Sequence, residues 1–595
     1  MNPAKPTQNR CKKFFPFCRI RRLRFYALVL VCLFAASRLS AQEIVADRIV
    51  QGGTILTMDP SRPTVEAVAI AGDRILATGS LRELKRFVGP KTEVIELTEG
   101  QMAMPGLIEG HGHFLGLGQS LMMLRLSEAE TWDEIVDQVA AAAKVTPPGQ
   151  WIIGRGWHQS KWKETPQPNV EGYPTTKRLD ELTPNNPVLL THASGHMSLA
   201  NGYAMRLAKV DGNTKPPAGG EILKDEQGNP TGVFRETAQS LINRVQSRDE
   251  MRMSPEQQLK LTRKAIELAG AECLKYGITS FQDAGTSLGD LRLLRNMAIA
   301  NELPIRLWMM VRDSNNGIES ELPQLKSIGL GRDFFTFRAI KLSIDGALGP
   351  HGAWLLEPYQ DMPTSTGLNT IPIEDVQKAA ELAVQFDCQL CVHAIGDKAN
   401  QVTLNLFEEA LKKHPSPISR RWRIEHAQHL AVSDIPRFGQ LGVIASMQGI
   451  HCTSDAIFVL QRLGNLRAKQ GAYVWRSLLD SGAVVTNGTD APVENVNPFP
   501  SLQATITRRL SDGMTFFPEQ CLTREEALRS YTIDCAYAAF EETIKGSLVA
   551  GKLADITIVN RNLLTCPAET IGATQVVKTI LGGKVVYSNT LSDSK

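Results

Sequence analysis

The chain has 595 residues, more than the roughly 100–200 that one ordinary domain holds. Hydrophobic residues make up 43% and charged residues 21%, which is typical of a globular protein with a large core. The 65 basic and 62 acidic residues leave a net charge of +3, so the composition excludes a strongly basic nucleic-acid-binding protein.

The chain begins with a predicted signal peptide, residues 1–41. A basic segment precedes 12 apolar residues, Phe25 to Ala36, and small residues follow with a cleavage site expected after Ala41. The apolar run is shorter than the roughly 20 residues that span a bilayer. We therefore expect export to the periplasm or the medium. An uncleaved membrane anchor is the alternative, and Arg21-Arg22 leaves Sec and twin-arginine export both open.

Both ends of the remaining chain contain short alternating runs broken by Gly, Asp and Pro, which is typical of β-strands. These runs occupy residues 43–103 and 546–590. We predict that the two segments pair into one small β-sandwich beside a central domain.

The central residues 104–545 alternate short apolar runs with helix-like stretches, which predicts a (β/α)8 barrel. The eight runs are QMAMPGLIEGHGH, GITSFQDAG, PIRLWMMV, FRAIKLSIDG, QLCVHAIGD, WRIEHAQH, GVIASMQG and AVVTNGTDAP. A doubly wound sheet is the rival, but Gly116-x-Gly118 does not extend to the glycine-rich phosphate turn that such a fold requires.

The first two runs are separated by about 160 residues, which is too long for a plain loop. We predict an inserted segment on the substrate side, at about residues 117–270. The seven cysteines beyond the leader are scattered and odd in number, so they do not indicate a disulfide framework. Cys388 and Cys391 are predicted to be core residues rather than half of a metal knuckle.

Polar side chains lie within or end several of these apolar runs. They are His111, His113, Lys341, His393, His426 and Asp490. Residues i and i+2 of a strand face the same side, so the two imidazoles of His111-Gly112-His113 can enter one site. Each residue alone could be structural, but together they cluster where (β/α)8 enzymes carry their active sites.

The sequence resembles the amidohydrolase superfamily, specifically its YtcJ-like (amidohydrolase 3) branch, over roughly residues 45–590. The matching motifs occur in family order: PGLIEGHGH, GRGWHQSKW, HASGHMSLAN, KLSIDGALG, VHAIGDKAN, RIEHAQ, SMQGIH, TNGTDAPV and KGSLVAGKLADITIVN. His158 and Pro350-His351 depart from the pattern of this branch, and both departures concern the substrate rather than the metal site.

The resemblance implies a site for two divalent metal ions, with zinc favoured. It implies that His111, His113 and Asp490 bind the first ion and that His393 and His426 bind the second. It further implies that Lys341 bridges both ions through a carboxylate derived from CO2. Desolvation of Lys341 agrees with this role, because a neutral amine can add CO2. Asp490 would then act as the catalytic proton shuttle for attack by metal-activated water.

A second set of residues is expected to face the substrate: Trp157, His158, His196, Asp345 and His451. As alternatives, Asp345 belongs to a simple turn and His451 is a structural residue. His414 and His429 are predicted to lie on the surface.

The resulting prediction is a hydrolase of non-peptide C–N bonds in small molecules such as amides, N-formyl or N-acyl amines and cyclic amides. The alternative within enzymes is a lyase or isomerase, such as a decarboxylase, on the same metal scaffold. A metal-dependent binding protein without turnover is the alternative outside enzymes, and the presence of Asp490 argues against it. No nucleic-acid partner is expected, and the sequence leaves a homodimer open.

Overall fold

The computed structural model describes residues 45–589, with residues 160–161, 193–196 and 218–219 excepted. Its centre is a sheet of eight parallel strands, each paired with the next along the chain. We number them β1 (Leu107–Gly112), β2 (Ile278–Thr286), β3 (Arg306–Val311), β4 (Phe335–Ser343), β5 (Gln389–Ala394), β6 (Arg423–His426), β7 (Ile444–Gln448) and β8 (Val485–Gly488).

The sheet closes on itself where β8 meets β1. The Asp490 amide donates to the carbonyl of His111 (2.8 Å), and the Thr489 amide donates to the carboxyl group of Glu109 (2.5 Å). Gly488 permits this approach, because a Cβ atom there would lie 2.5 Å from the His111 nitrogen. Each of the eight predicted runs overlaps one of these strands, so the predicted barrel is confirmed.

Helices pack against the barrel strands, and their buried apolar side chains form one large core with those of the strands. The α-helices of this part of the chain are Phe114–Leu121, Pro255–Lys275, Leu288–Ile299, Asn315–Leu325, Leu330–Asp333, Ile373–Gln385, Asp397–Lys413, Ile435–Leu441, His451–Ser454, Ala456–Gly471, Trp475–Asp480, Pro498–Thr507, Arg524–Ser530 and Ile533–Ala538. The longest of them starts at a capping box, since Ser254 and Gln257 satisfy each other's backbone amides. Among the described helices, none has both the length and the apolar character needed to cross a membrane.

Strands from both ends of the described chain form one eight-stranded sheet. They are Arg48–Leu56, Thr64–Ala71, Arg74–Gly79, Glu93–Glu96, Met102–Pro105, Ile556–Val559, Val576–Leu581 and Lys584–Ser588. The two ends meet where Ile558 pairs antiparallel with Ala103. A buried ion pair between Arg306 of β3 and Asp555 (2.7 Å) fixes this sheet to the barrel.

The segment between β1 and β2 contains a sheet and a core of its own. Its six strands are Leu124–Arg125, Ile152–Trp157, Val188–His192, Met197–Ala200, Gly220–Lys224 and Pro230–Glu236, and a two-stranded ladder joins Asn169–Val170 to Tyr173–Pro174. Its helices are Trp132–Ala143, Lys177–Leu182, Gly202–Leu207 and Ser240–Met251. The inserted structure predicted from the length of this segment is therefore present. Cys388 and Cys391 are both buried, which confirms the prediction that they are core residues.

Candidate metal centre

The six predicted ligand residues lie at or near the carboxyl ends of five barrel strands. Because all eight strands run parallel, these ends meet at one mouth of the barrel. The residues are His111 in β1 and His113 after it, Lys341 in β4, His393 in β5, His426 at the end of β6 and Asp490 after β8.

Three of these residues converge closely enough to hold a metal ion. Ligand atoms of His111, His426 and Asp490 all lie within 4.8 Å of one another, and all three residues are buried. His113 joins them, since its Nε2 atom lies 3.2 Å from Oδ1 of Asp490. Oδ1 of Asp490 is also 3.5 Å from Nε2 of His111.

His393 and Lys341 border this cluster on the β4–β5 side. The ring centroids of His393 and His426 are 4.4 Å apart. Ser343 of β4 is in register with His393, and Lys341 precedes it by two residues on the same face of the strand. Lys341 is only 3% exposed, so its amine is enclosed by the barrel.

The donor set fits a divalent cation. Nε2 of His111, Nε2 of His393 and Oδ1 of Asp490 are buried and have no hydrogen-bond partner within the described part of the chain. Leaving a buried polar atom unsatisfied costs about 1–3 kcal/mol. A metal ion would satisfy imidazole and carboxylate donors at once, and imidazole with carboxylate is a common ligand set for such ions.

Neighbouring side chains fix the tautomers of two candidate ligands. Nδ1 of His111 contacts the Glu425 carboxylate, and Nδ1 of His426 lies 2.8 Å from Oε1 of Gln448. The Gln448 amide nitrogen donates to the Ser446 carbonyl (3.2 Å), which sets the orientation of this side chain. Both imidazoles therefore carry their proton on Nδ1 and leave the Nε2 lone pair for a metal.

Glu425 is itself held by a buried charge. Arg423 lies two residues earlier in β6, and its Nε atom is 2.7 Å from Oε1 of Glu425, with both side chains fully buried. The same guanidinium donates to the carbonyl of Gly110 (2.8 Å) and to the hydroxyl of Ser446 (2.6 Å). Burial alone would raise the pKa of Glu425, but the Arg423 charge holds it well below its usual value.

Unusual backbone conformations place two of the candidate ligands. His426 has φ of 74° and Asp490 has φ of 57°, in the left-handed region that non-glycine residues rarely adopt. In a regular strand, adjacent residues face opposite sides. The turn at His426 lets both Glu425 and His426 approach His111. Such strain is characteristic of functional sites.

Burial sets the protonation of the cluster for metal binding. It lowers the pKa of His111 to about 4 and that of His393 to about 3, with the nearby Lys341 charge adding to both shifts. Burial also lowers the pKa of Lys341. It would raise the pKa of Asp490, but contact with His113 holds that pKa below its usual value. Neutral imidazoles and an ionised carboxylate are the forms that bind metals.

Two residues expected to face the substrate border the cluster. The Asp345 carboxylate accepts backbone hydrogen bonds from Trp354 (2.9 Å), Ile395 (3.0 Å) and Gly396 (2.8 Å), and its Oδ1 lies 3.6 Å from Nε2 of His393. Asp345 thus ties the loops after β4 and β5 together. The ring of His451 stacks at 6.4 Å on that of His426.

The other three residues of that set belong to the inserted segment. Trp157 is fully buried in its core, and the indole nitrogen donates to the Leu190 carbonyl (2.9 Å). His158 is half-buried with its ring 4.5 Å from that of His192. His196 lies outside the described residues.

The sequence interpretation missed some residues and misplaced one. Arg423 and Glu425 lie in the motif RIEHAQ and Gln448 lies in SMQGIH, but no role is predicted for any of the three. The available signal was a pair of opposite charges spaced i, i+2 in an otherwise apolar strand. His429 is buried at 2% exposure, so its predicted surface position is wrong. Its backbone pairs antiparallel with that of Ala472, and the ring of Tyr473 packs against the imidazole and covers it.

Comparison with known proteins identifies the family of this chain. The amidohydrolase family model matches residues 93–587. The putative amidohydrolase YtcJ of Bacillus subtilis (strain 168) is 31% identical, over 90% of this chain and 98% of that protein. The N-substituted formamide deformylase of Arthrobacter pascens is 26% identical, over 91% of this chain and 99% of that protein.

A solved structure agrees with the sequence comparisons. The crystal structure of an uncharacterized metal-dependent hydrolase from Pyrococcus furiosus superimposes with a TM-score of 0.68 at 27% identity. The match covers 87% of this chain and all of the other.

Proposed function

Because the chain belongs to the amidohydrolase family and is a metal-dependent hydrolase of non-peptide C–N bonds, we propose that it releases amines from N-formyl or N-acyl amines or opens cyclic amides. The observation that carries this proposal is the buried convergence of His111, His426 and Asp490, whose ligand atoms lie within 4.8 Å. The deformylase of Arthrobacter pascens supports the choice of N-formyl compounds.

We propose that the centre holds two zinc ions. His111, His113 and Asp490 would hold the first ion, and His393 and His426 the second. The 4.4 Å separation of the rings of His393 and His426 supports the second group. The mixture of imidazole and carboxylate supports zinc.

Lys341 completes this proposal as a bridging ligand. Its lowered pKa leaves more of the amine neutral, and a neutral amine adds CO2 with loss of one proton. The resulting carboxylate would offer one oxygen to each ion, and it would remove the positive charge that an ammonium group places among the ligands. The buried position of Lys341 beside five other candidate ligands supports this role.

Asp490 is proposed to move the proton. When bound, the metal ions polarise the scissile carbonyl and make water a better nucleophile near neutral pH. The Asp490 carboxylate takes the proton that the water loses and delivers it to the leaving nitrogen as the C–N bond breaks. Its pKa below the usual range keeps it ionised, which is the form that can accept a proton.

Amine release tests the proposed function. The zinc-loaded chain is incubated with N-formyl amines, N-acyl amines and cyclic amides, and the freed amino group is quantified. We expect turnover of at least one class, with loss of turnover after metal removal and in Asp490→Asn. Turnover of none of the three classes, or equal turnover by the metal-free chain, would overturn the proposal.

We also propose that the chain is exported. Residues 1–41 lie outside the described residues, so this proposal depends on the basic segment and the apolar run Phe25 to Ala36. Sequencing the amino terminus of natively produced protein should give Gln42. Protein that begins at Met1 would contradict cleavage.

A further inference from the structure

An arginine stands at the barrel mouth next to the candidate centre. Arg312 directly follows β3, so it lies at the same end of the barrel as the metal-ligand candidates. Its backbone amide donates to the Thr286 carbonyl (2.9 Å), which anchors the residue to the end of β2. In contrast to the enclosed Lys341, Arg312 is exposed. Its position is therefore fixed while its side chain remains accessible.

Gly285 brings the side chain of Arg312 close to that of Lys341. A Cβ atom at Gly285 would lie 3.3 Å from Cδ of Arg312 and 3.8 Å from Cγ of Lys341. Both side chains therefore pass the same open face of Gly285, whose φ of 142° favours glycine.

The guanidinium of Arg312 has no hydrogen bond or ion pair with any described residue. The carboxylate of the adjacent Asp313 accepts hydrogen bonds from the backbone amides of Ser314 (2.8 Å) and Leu288 (3.4 Å). Other arginines of the barrel strands are paired, as in Arg306 with Asp555 and Arg423 with Glu425. An arginine is always charged, and its planar fork matches a carboxylate.

We propose that Arg312 binds a carboxylate of the substrate, so that preferred substrates carry an anionic group near the scissile C–N bond. The inference rests on the proposed function. A carboxylated Lys341 would be a rival partner for Arg312. It would be enclosed among the ligands, whereas Arg312 is open to solvent, and this difference favours the substrate as the partner.

A pair of matched substrates tests the inference. N-formylphenylalanine and N-formylphenylalanine amide differ only in a carboxylate against a neutral carboxamide. We expect the zinc-loaded chain to favour the carboxylate about 10- to 100-fold in kcat/KM, the usual effect of a hydrogen bond between charged groups. Arg312→Met should bring this ratio close to one, mainly by raising KM for the carboxylate. Arg312→Lys should give an intermediate ratio.

Arg263→Met is the matched control. Arg263 lies on the helix Pro255–Lys275, and its guanidinium pairs with Glu302 (2.8 Å). This variant should keep the wild-type ratio. The inference is overturned if the wild type turns over both substrates equally, a result that leaves the proposed function intact. It is also overturned if Arg312→Met loses metal and turns over both substrates equally poorly, because Arg312 would then act through Lys341.

Binding keeps the inference testable if the proposed function fails. When the wild type hydrolyses neither compound, calorimetry with N-formylphenylalanine still compares the zinc-loaded wild type and Arg312→Met. Binding that weakens about 10-fold or more in the variant supports the inference. Equal or absent binding in both overturns it.

Discussion

The Glu425 carboxylate contacts Nδ1 of His111, and both side chains are buried. This contact directs the Nε2 lone pair of His111 toward Asp490 and the proposed metal. Losing such a support usually weakens metal affinity by about 10- to 100-fold. We therefore predict that Glu425→Gln raises the zinc dissociation constant by this factor, measured by competition with a chelator.

Two further variants separate orientation from stability. Glu425→Gln leaves the Arg423 charge buried without its partner, which itself destabilises the fold. Gln448→Met removes the acceptor for Nδ1 of His426 without breaking an ion pair, and it should also weaken zinc binding. Glu541→Gln is the control. The buried carboxylate of Glu541 accepts a hydrogen bond from the Thr336 hydroxyl (2.8 Å) and forms an ion pair with Lys545 (2.5 Å). Equal zinc affinity in all four proteins would contradict the positioning role.

The contrast between Asp490 and Glu425 shows how far the sequence predicts the site. Asp490 is evident because a carboxylate ends an apolar run, and parallel strands bring such ends together. Glu425 is not evident, because strand alternation places adjacent residues on opposite faces. The left-handed φ of His426 breaks that rule. A backbone turn of this kind depends on tertiary contacts that the sequence pattern does not report.

The same limit applies to residues near the site. An interior aspartate after a strand suggests a substrate contact, but both oxygens of Asp345 accept backbone amides from two loops. His429 is predicted to lie on the surface, but loop packing buries it. The barrel itself was predictable because its eight strands are apolar runs separated by long helical segments.

Lys341→Ala should remove the proposed bridging carboxylate. We predict that the zinc content falls from two ions per chain and that turnover is lost. Added short carboxylates such as acetate should restore part of the turnover by occupying the vacated space. Elemental analysis and amine release are measured on one preparation. Lys326→Met serves as control, because this lysine bonds the Phe386 carbonyl (2.7 Å). Two zinc ions retained in Lys341→Ala would refute the bridge.

Asp490→Asn should separate metal binding from proton transfer. An amide oxygen still coordinates a metal weakly, but an amide does not accept the proton of water. General acid–base catalysis contributes about 10²–10⁴-fold, so we predict a fall in kcat of at least this order with a smaller fall in zinc content. Near-normal kcat at full zinc occupancy would remove Asp490 from the mechanism. The melting temperature, recorded on the same sample, reports any loss of stability.

Glu526 should make the stability depend on acid pH. Its carboxylate accepts hydrogen bonds from the Arg476 guanidinium (2.9 Å) and from the Thr523 backbone amide (2.8 Å). These contacts, of which the one with Arg476 has the largest effect, lower its pKa from 4.5 to about 2. A lowered pKa in the folded state stabilises above pH 4.5, and this stabilisation is lost as the pH falls toward 2.

We therefore predict that Glu526→Gln lowers the free energy of unfolding by about 0.2–1 kcal/mol at pH 7, as for loss of a partly exposed ion pair, because glutamine at this position can still close the capping box. The difference from the wild type should shrink steadily below pH 4.5. Urea unfolding at several pH values measures it. Exposed Glu525 in the same helical turn provides the control, and Glu525→Gln should have a smaller effect. A difference that does not change with pH would exclude this carboxylate as its cause.

Zinc titration of the metal-free chain tests the central claim most directly. Amine release from an N-formyl or N-acyl substrate of this chain is followed as zinc is added in measured equivalents. Our account predicts no release without metal and a rise that reaches its plateau at two zinc ions per chain. Full amine release by the metal-free chain, unchanged by added zinc, would contradict it.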